Sequence, residues 1–211
     1  LFLLILNALA VFFLWLTLRE IFSKAPRDNF SYGYMTVCFC IALMCCWPIF
    51  SHWSFERKLT HVTQELANFK PANVECQSAT SSIFDTTNSW IAGYAYIDTG
   101  EVVFKSGWCK RLKNYLKDPA AADYKERYSI QLLAHEAMHV RGERNEQHTE
   151  CQAIQRNYRT ARMMGVPEKH AVQHSVNYYL YEYPKHPYYD PECKPGSEMD
   201  ESLNDSTWNF L

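Results

Sequence analysis

Apolar residues run almost unbroken over 1–18, where Asn7 and Thr17 are the polar interruptions. At about 1.5 Å per residue, a helix of that length covers close to the hydrocarbon thickness of a bilayer. It has no polar face to turn towards water. A second apolar run covers about 34–50, flanked by Tyr32, Tyr34, Trp47 and Trp53, aromatic residues of the kind that gather at headgroup level. Two transmembrane helices with a polar connector are therefore expected over 1–53. The connector holds Arg19, Lys24 and Arg27, with Pro26 and Asp28-Asn29 marking a turn. Pro48 is expected to kink the second span rather than prevent it. A signal peptide is the competing reading of the first run, but no small-residue cleavage pattern follows it. The chain opens on Leu1, as a processed or partial product would.

Beyond the spans the pattern changes period. Phe55, Leu59, Val62, Leu66 and Phe69 recur at helical spacing, so an amphipathic linker helix is expected over 54–73. The stretch 74–89, rich in Ser, Thr and Asn, reads as a loop. Aromatic and β-branched residues on both sides of Asp98-Thr99-Gly100 make 90–104 a β-hairpin. Helices are expected over about 107–116, 128–141, 145–164 and 168–181, with Asp118-Pro119, Gly142 and Gly165 acting as stops. The proline- and tyrosine-rich end is expected to wrap the domain, with 197–211 as a tail that is disordered or docks on a partner. The fold class is α+β: two N-terminal transmembrane helices, then a mostly helical domain over 74–196 with one β-hairpin.

Charge and cysteines narrow the setting. A net charge of -2 over 211 residues gives no sign of nucleic-acid binding. Cys38, Cys40, Cys45 and Cys46 lie in the second apolar run and act there as small hydrophobes. Cys76, Cys109, Cys151 and Cys193 are widely spaced with no Cys-x-x-Cys pair, which favours two disulfides over a zinc cluster. Disulfides place the domain on the oxidising side of the membrane. Positive charge does not decide orientation, because Arg57, Lys58 and Lys70 balance the connector.

The chemistry concentrates in 131–153. His135 and His139 stand four apart around Glu136, which on a helix puts two imidazoles on one face with a carboxylate beside them. That is the pattern of a zinc site in which Glu136 is the general base. A catalytic zinc takes three protein ligands and keeps one position for water. Candidates for the third ligand are Glu143, Glu146, His148 and Glu150. Glu146 and Glu150 are one turn apart, so one can ligate while the other orients a histidine. Glu146 is preferred as the ligand, with Glu150 as its support or its alternative. His174, Tyr178 and Tyr179 are candidates for a further donor.

Asn145-Glu146 with Glu150 resembles the Asn-Glu-x-x-x-Asp of thermolysin-like enzymes, whereas Glu150-x-x-Ala153 resembles the Glu-x-x-Ala of other glutamate-type zinc peptidases. The histidine-ligand type is matched through Gly142, but Asn145 occupies its last position. The order Gly93-Tyr94, Cys109, His135-Glu136-x-x-His139, Glu150-x-x-Ala153, Pro191-x-Cys193 resembles small zinc metallopeptidases of the glutamate-ligand type. It is similar to the mitochondrial inner-membrane ATP synthase assembly metallopeptidase family and to small bacterial relatives. The resemblance implies a zincin-like domain, a zinc cofactor, and a peptide or membrane-protein substrate met beside membrane lipid. Cys151 is then expected to be tied to Cys193. An alternative is a non-catalytic accessory subunit of a larger membrane complex that retains a structural zinc, with both Glu146 and Glu150 coordinating.

Overall fold

The computed structural model describes residues 2–23, 28–77 and 92–211. The chain divides into two compact units, Leu1–Phe55 and Glu56–Leu211.

The first unit contains helix α1, Phe2–Ile21, and most of helix α2, Asn29–Leu66. Both are long and apolar enough to cross a membrane. Their large apolar side chains, among them Leu4, Val11, Met44 and Trp47, point outward, while Ala10, Thr17, Cys38, Ala42 and Cys45 are buried. The Thr17 hydroxyl donates to the Phe13 carbonyl, so the polar interruption is satisfied inside its own helix. Asp28 starts α2 by accepting the Ser31 amide at 2.8 Å.

Helix α2 differs from the expected span and separate linker helix. It is continuous through Pro48 and through the polarity change at Ser51-His52. Polarity alone does not stop a helix, and Pro48 removes a single intrahelical donor. The part of α2 from Glu56 onward belongs to the second unit, where Leu59, Val62 and Leu66 are buried core. Phe69 leaves the stripe and is 80% exposed. It follows the helix end in a turn where Asn68 and Phe69 both have positive φ, 57° and 60°.

The second unit is built on a three-stranded sheet in the order β1-β3-β2. Strand β1, Asn73–Cys76, opens what the sequence suggests is a loop; residues 78–89 of that loop lie outside the described residues. Strands β2, Gly93–Tyr96, and β3, Glu101–Phe104, form the expected hairpin, whose residues 90–91 also lie outside. β3 is central, antiparallel to β2 and parallel to β1. On β1, the Val74 amide donates to Thr60 Oγ1 and the Cys76 amide to Glu56 Oε1. Side chains of α2 thus serve an edge that no further strand pairs among the described residues. Alternating burial at Val74, Cys76, Val102 and Phe104 turns one sheet face to the core.

Four helices complete the unit: α3, Ser106–Lys117; α4, Tyr124–Arg141; α5, Glu146–Met163; and α6, Glu168–Asn177. Helix α4 packs on α3, α5, β2 and β3, and α5 packs on α6. The start of α4 falls earlier than the apolar pattern suggests. Asp123 and Glu126 form a capping box there, each accepting the other's amide. Cys76–Cys109 ties β1 to α3, and Cys151–Cys193 ties α5 to the segment after α6.

Residues 197–211 dock on the unit itself. Arg159 makes a paired ion contact with Asp205, the Thr207 hydroxyl accepts the Tyr158 amide, and Trp208 is buried near Tyr179. Trp208→Ala is therefore expected to destabilise this unit by about 3 to 5 kcal/mol, the usual cost of emptying a buried aromatic site. Chemical denaturation reads it; wild-type stability would mean that the segment contributes no core.

Candidate metal centre

Helix α4 carries its chemistry on one stripe. Tyr128, Leu132, His135, Glu136 and His139 all line the same cleft, as their helical spacing dictates. The helix ends at Gly142, whose φ of 115° lets the chain turn back at once into α5. A side chain there would sit in the left-handed region and 3.1 Å from Lys70 Nζ. That ammonium donates to the Arg141 carbonyl and caps the helix. Within the turn Glu143 Oε1 accepts the Arg144 and Asn145 amides at 2.9 Å each, and Asn145 caps α5. The turn sets Glu146, the first residue of α5, opposite the two histidines.

His135 Nε2 lies 3.2 Å from His139 Nε2, and Glu146 Oε2 lies 3.1 Å from the first and 3.5 Å from the second. The other ring nitrogens are both committed as donors. His135 Nδ1 donates to Glu150 Oε2 at 2.7 Å, and His139 Nδ1 donates to the Glu143 carbonyl at 2.9 Å. Since both acceptors lack a proton to give, each Nδ1 carries a proton, and the Nε2 atoms are the ones turned to the cleft, where they converge with a carboxylate oxygen. Two imidazole nitrogens and one carboxylate oxygen are a donor set that fits a divalent metal ion.

Behind the cluster a buried chain fixes His135. Asn157 Nδ2 donates to Gln131 Oε1 at 2.6 Å, Gln131 Nε2 donates to Glu150 Oε1 at 3.0 Å, and Tyr178 Oη donates to the same oxygen. Burial pushes the Glu150 carboxyl up, but its bonds to His135 and Tyr178 outweigh burial and hold it low, so it is ionised. Glu136 is different. Burial raises it to about 7, and its Oε2 is buried with no hydrogen-bond partner among the described residues. Its other oxygen faces Gly93, where a side-chain carbon would stand 3.5 Å away.

The cleft holds about 590 Å³ between α4, strand β2 and the segment His186-Pro187-Tyr188. Strand β2 pairs only with β3 among the described residues. Ala92 and Tyr96 carbonyls are bonded across the hairpin, so by antiparallel alternation the backbone groups of Gly93 and Ala95 point to the free edge. The ring of Tyr188 lies nearly parallel to that of His135, with centroids 5.9 Å apart.

The structure thus brings His135, His139 and Glu146 together, with Glu150 behind His135 and Glu136 beside them. Glu143 serves the turn, and His148 is half-exposed near it at 3.8 Å. None of the three suggested donors lines the cleft: His174 bonds Tyr115, Tyr178 bonds Glu150, and Tyr179 bonds the Cys193 carbonyl. Tyr128, His186 and Tyr188 line it instead. Gln131 and Asn157 were equally unmarked in the sequence; their signal is a pair of amides at helical positions otherwise reserved for core. Compared with known proteins, the chain matches no family model, no curated protein and no solved structure.

Burial pushes the His135 imidazole down, but hydrogen bonds to Glu146 and Glu150 and the charge of Glu150 and Glu136 outweigh it and raise its pKa to about 10. Without a metal a proton therefore occupies the ligand atom at neutral pH. Each bound ion is expected to release about one proton at pH 7, and affinity to rise about tenfold per pH unit through the neutral range. Calorimetry in buffers of different ionisation enthalpy measures this; no proton release would contradict the assignment of His135 as a ligand.

Proposed function

We propose that the chain is a membrane-anchored zinc metallopeptidase with a zincin-like domain. The observation that carries this reading is the meeting of three possible ligand atoms with Glu136, a buried carboxyl with one oxygen that has no partner among the described residues, at an open cleft. His135, His139 and Glu146 would hold the ion. Glu150 is taken up by His135, Gln131 and Tyr178, which leaves a coordination position for water or substrate. When bound, zinc would acidify a water molecule and polarise a carbonyl group.

The remaining work falls to the chain's own residues. Glu136, raised to about 7 by burial, can accept the proton of the attacking water and return it to the departing amine. Glu150 holds His135 in the tautomer that offers Nε2. The free edge of β2 can bind an extended peptide by backbone hydrogen bonds, which selects a strand-like substrate over a folded one. Helices α1 and α2, with large apolar side chains outward, would anchor the protein in lipid. The two disulfides suit a domain on the oxidising side.

The test pairs metal analysis with Glu136→Gln. The purified protein should carry about one zinc ion, and the variant should keep the metal while losing hydrolysis of unstructured peptides by about 100- to 10,000-fold. Unchanged hydrolysis by the metal-loaded variant would sink the peptidase reading. Zinc retained by a wild type that cleaves nothing would favour the accessory-subunit alternative.

A further inference from the structure

We infer that Glu201 is a positioning residue for the metal centre, stapling the two ligand-bearing helices together from outside the cleft. The inference rests on the metal-site reading above. The ligands come from two elements: His135 and His139 from α4, and Glu146 from the first turn of α5. The turn 142–145 joins them at the ligand end and the buried Glu150 bonds tie them deeper in, so a small displacement of the first turn of α5 would carry Glu146 Oε2 away from the imidazoles.

Glu201 meets both helices, at Arg141 on the end of α4 and at Arg156 in the second half of α5. Its Oε1 and Oε2 accept from Arg141 Nη1, at 2.6 and 2.9 Å, and Arg141 is the last residue of α4, two past His139. Its Oε2 also accepts from Nη2 of Arg156, a residue of α5 that is 3% exposed. One carboxylate therefore separates two guanidinium groups that would otherwise repel each other across the helix pair. The staple is itself held in place. Gln155 Oε1 accepts the Glu201 amide at 2.9 Å, and Gln155 Nε2 donates to the Met199 carbonyl at 2.8 Å. The neighbouring turn is fixed by Asp200, whose two oxygens accept the Gly196 and Ser202 amides.

A control lies within the same segment. Asp205 pairs with Arg159, so that ion pair ties the segment to α5 without reaching α4. Removing Glu201 should disturb the metal geometry, whereas removing Asp205 should loosen the segment alone.

The experiment measures zinc affinity by chelator competition and records the visible spectrum of the cobalt-substituted protein. It compares the wild type with Glu201→Gln, Arg141→Gln and Asp205→Asn. Glu201→Gln and Arg141→Gln are each expected to weaken zinc about tenfold or more, the usual loss when a supporting partner goes, and to shift the cobalt bands. Asp205→Asn should leave both readouts at wild-type values even where its thermal stability falls as far. Unchanged affinity and spectrum in Glu201→Gln and Arg141→Gln would overturn the proposal, as would equal weakening by Asp205→Asn. If Glu201→Gln fails to fold, Arg141→Gln, which leaves the Arg156–Glu201 pair in place, decides alone. A wild type that binds neither zinc nor cobalt would instead bring down the metal-site reading itself.

Discussion

The bond between His135 Nδ1 and the buried carboxylate of Glu150 is the interaction on which the site depends. It ties α4 to α5, fixes which imidazole nitrogen faces the cleft, and gives an ionised carboxylate a partner inside the protein. An unpaired buried carboxylate would be costly, and this one is satisfied by His135, Gln131 and Tyr178 together. The partners come from α4 and from the turn after α6. The placement of α4 against α5 and the orientation of the His135 ring thus lean on one buried acid.

The same helices carry a second acid in the opposite condition. Glu136 is as deeply placed as Glu150, yet one of its oxygens has no partner among the described residues. Two carboxyl groups in one small region therefore have divergent environments: Glu150 is held ionised by donors, while burial lifts Glu136 to about 7. Such divergence suits a division of labour in which one acid holds geometry and the other exchanges a proton. Gly93 belongs to this arrangement, because a side chain there would press on the Val103 carbonyl at 3.1 Å and crowd Glu136. The close approach of β2 to α4 is what sets a strand edge beside Glu136.

Much of this was legible in the sequence because it is local. Helical spacing of His135, Glu136 and His139, the stop at Gly142, and the turn of α5 that separates Glu146 from Glu150 are all set within a few residues. The hairpin was legible for the same reason. The pairing of β1 with β3 was not, since it joins segments separated by a hairpin and a loop. The boundary between span and linker helix was misplaced because polarity changes at Ser51 while backbone preference does not. His186 and Tyr188 escaped notice because their contact with α4 is made only by the returning chain, which Cys193 and the Tyr183 hydroxyl hold in place.

The remote end of the chain shows why a ligand motif is an incomplete description of a site. His135-Glu136-x-x-His139 supplies two imidazole nitrogens and a carboxylate, but Glu146 stands on another helix, and its distance from the histidines is a tertiary property. Residues 197–211 reach both helices through ion pairs of Glu201, one of whose partners, Arg156, is deeply buried. Partly buried, geometrically paired charges of this kind fix relative position more firmly than exposed ones, which water and salt screen. The exposed Arg144–Asp98 contact at the mouth of the cleft is of the weaker sort. The firmer ion pairs thus lie behind the cluster of His135, His139 and Glu146 and the weaker one at the entrance.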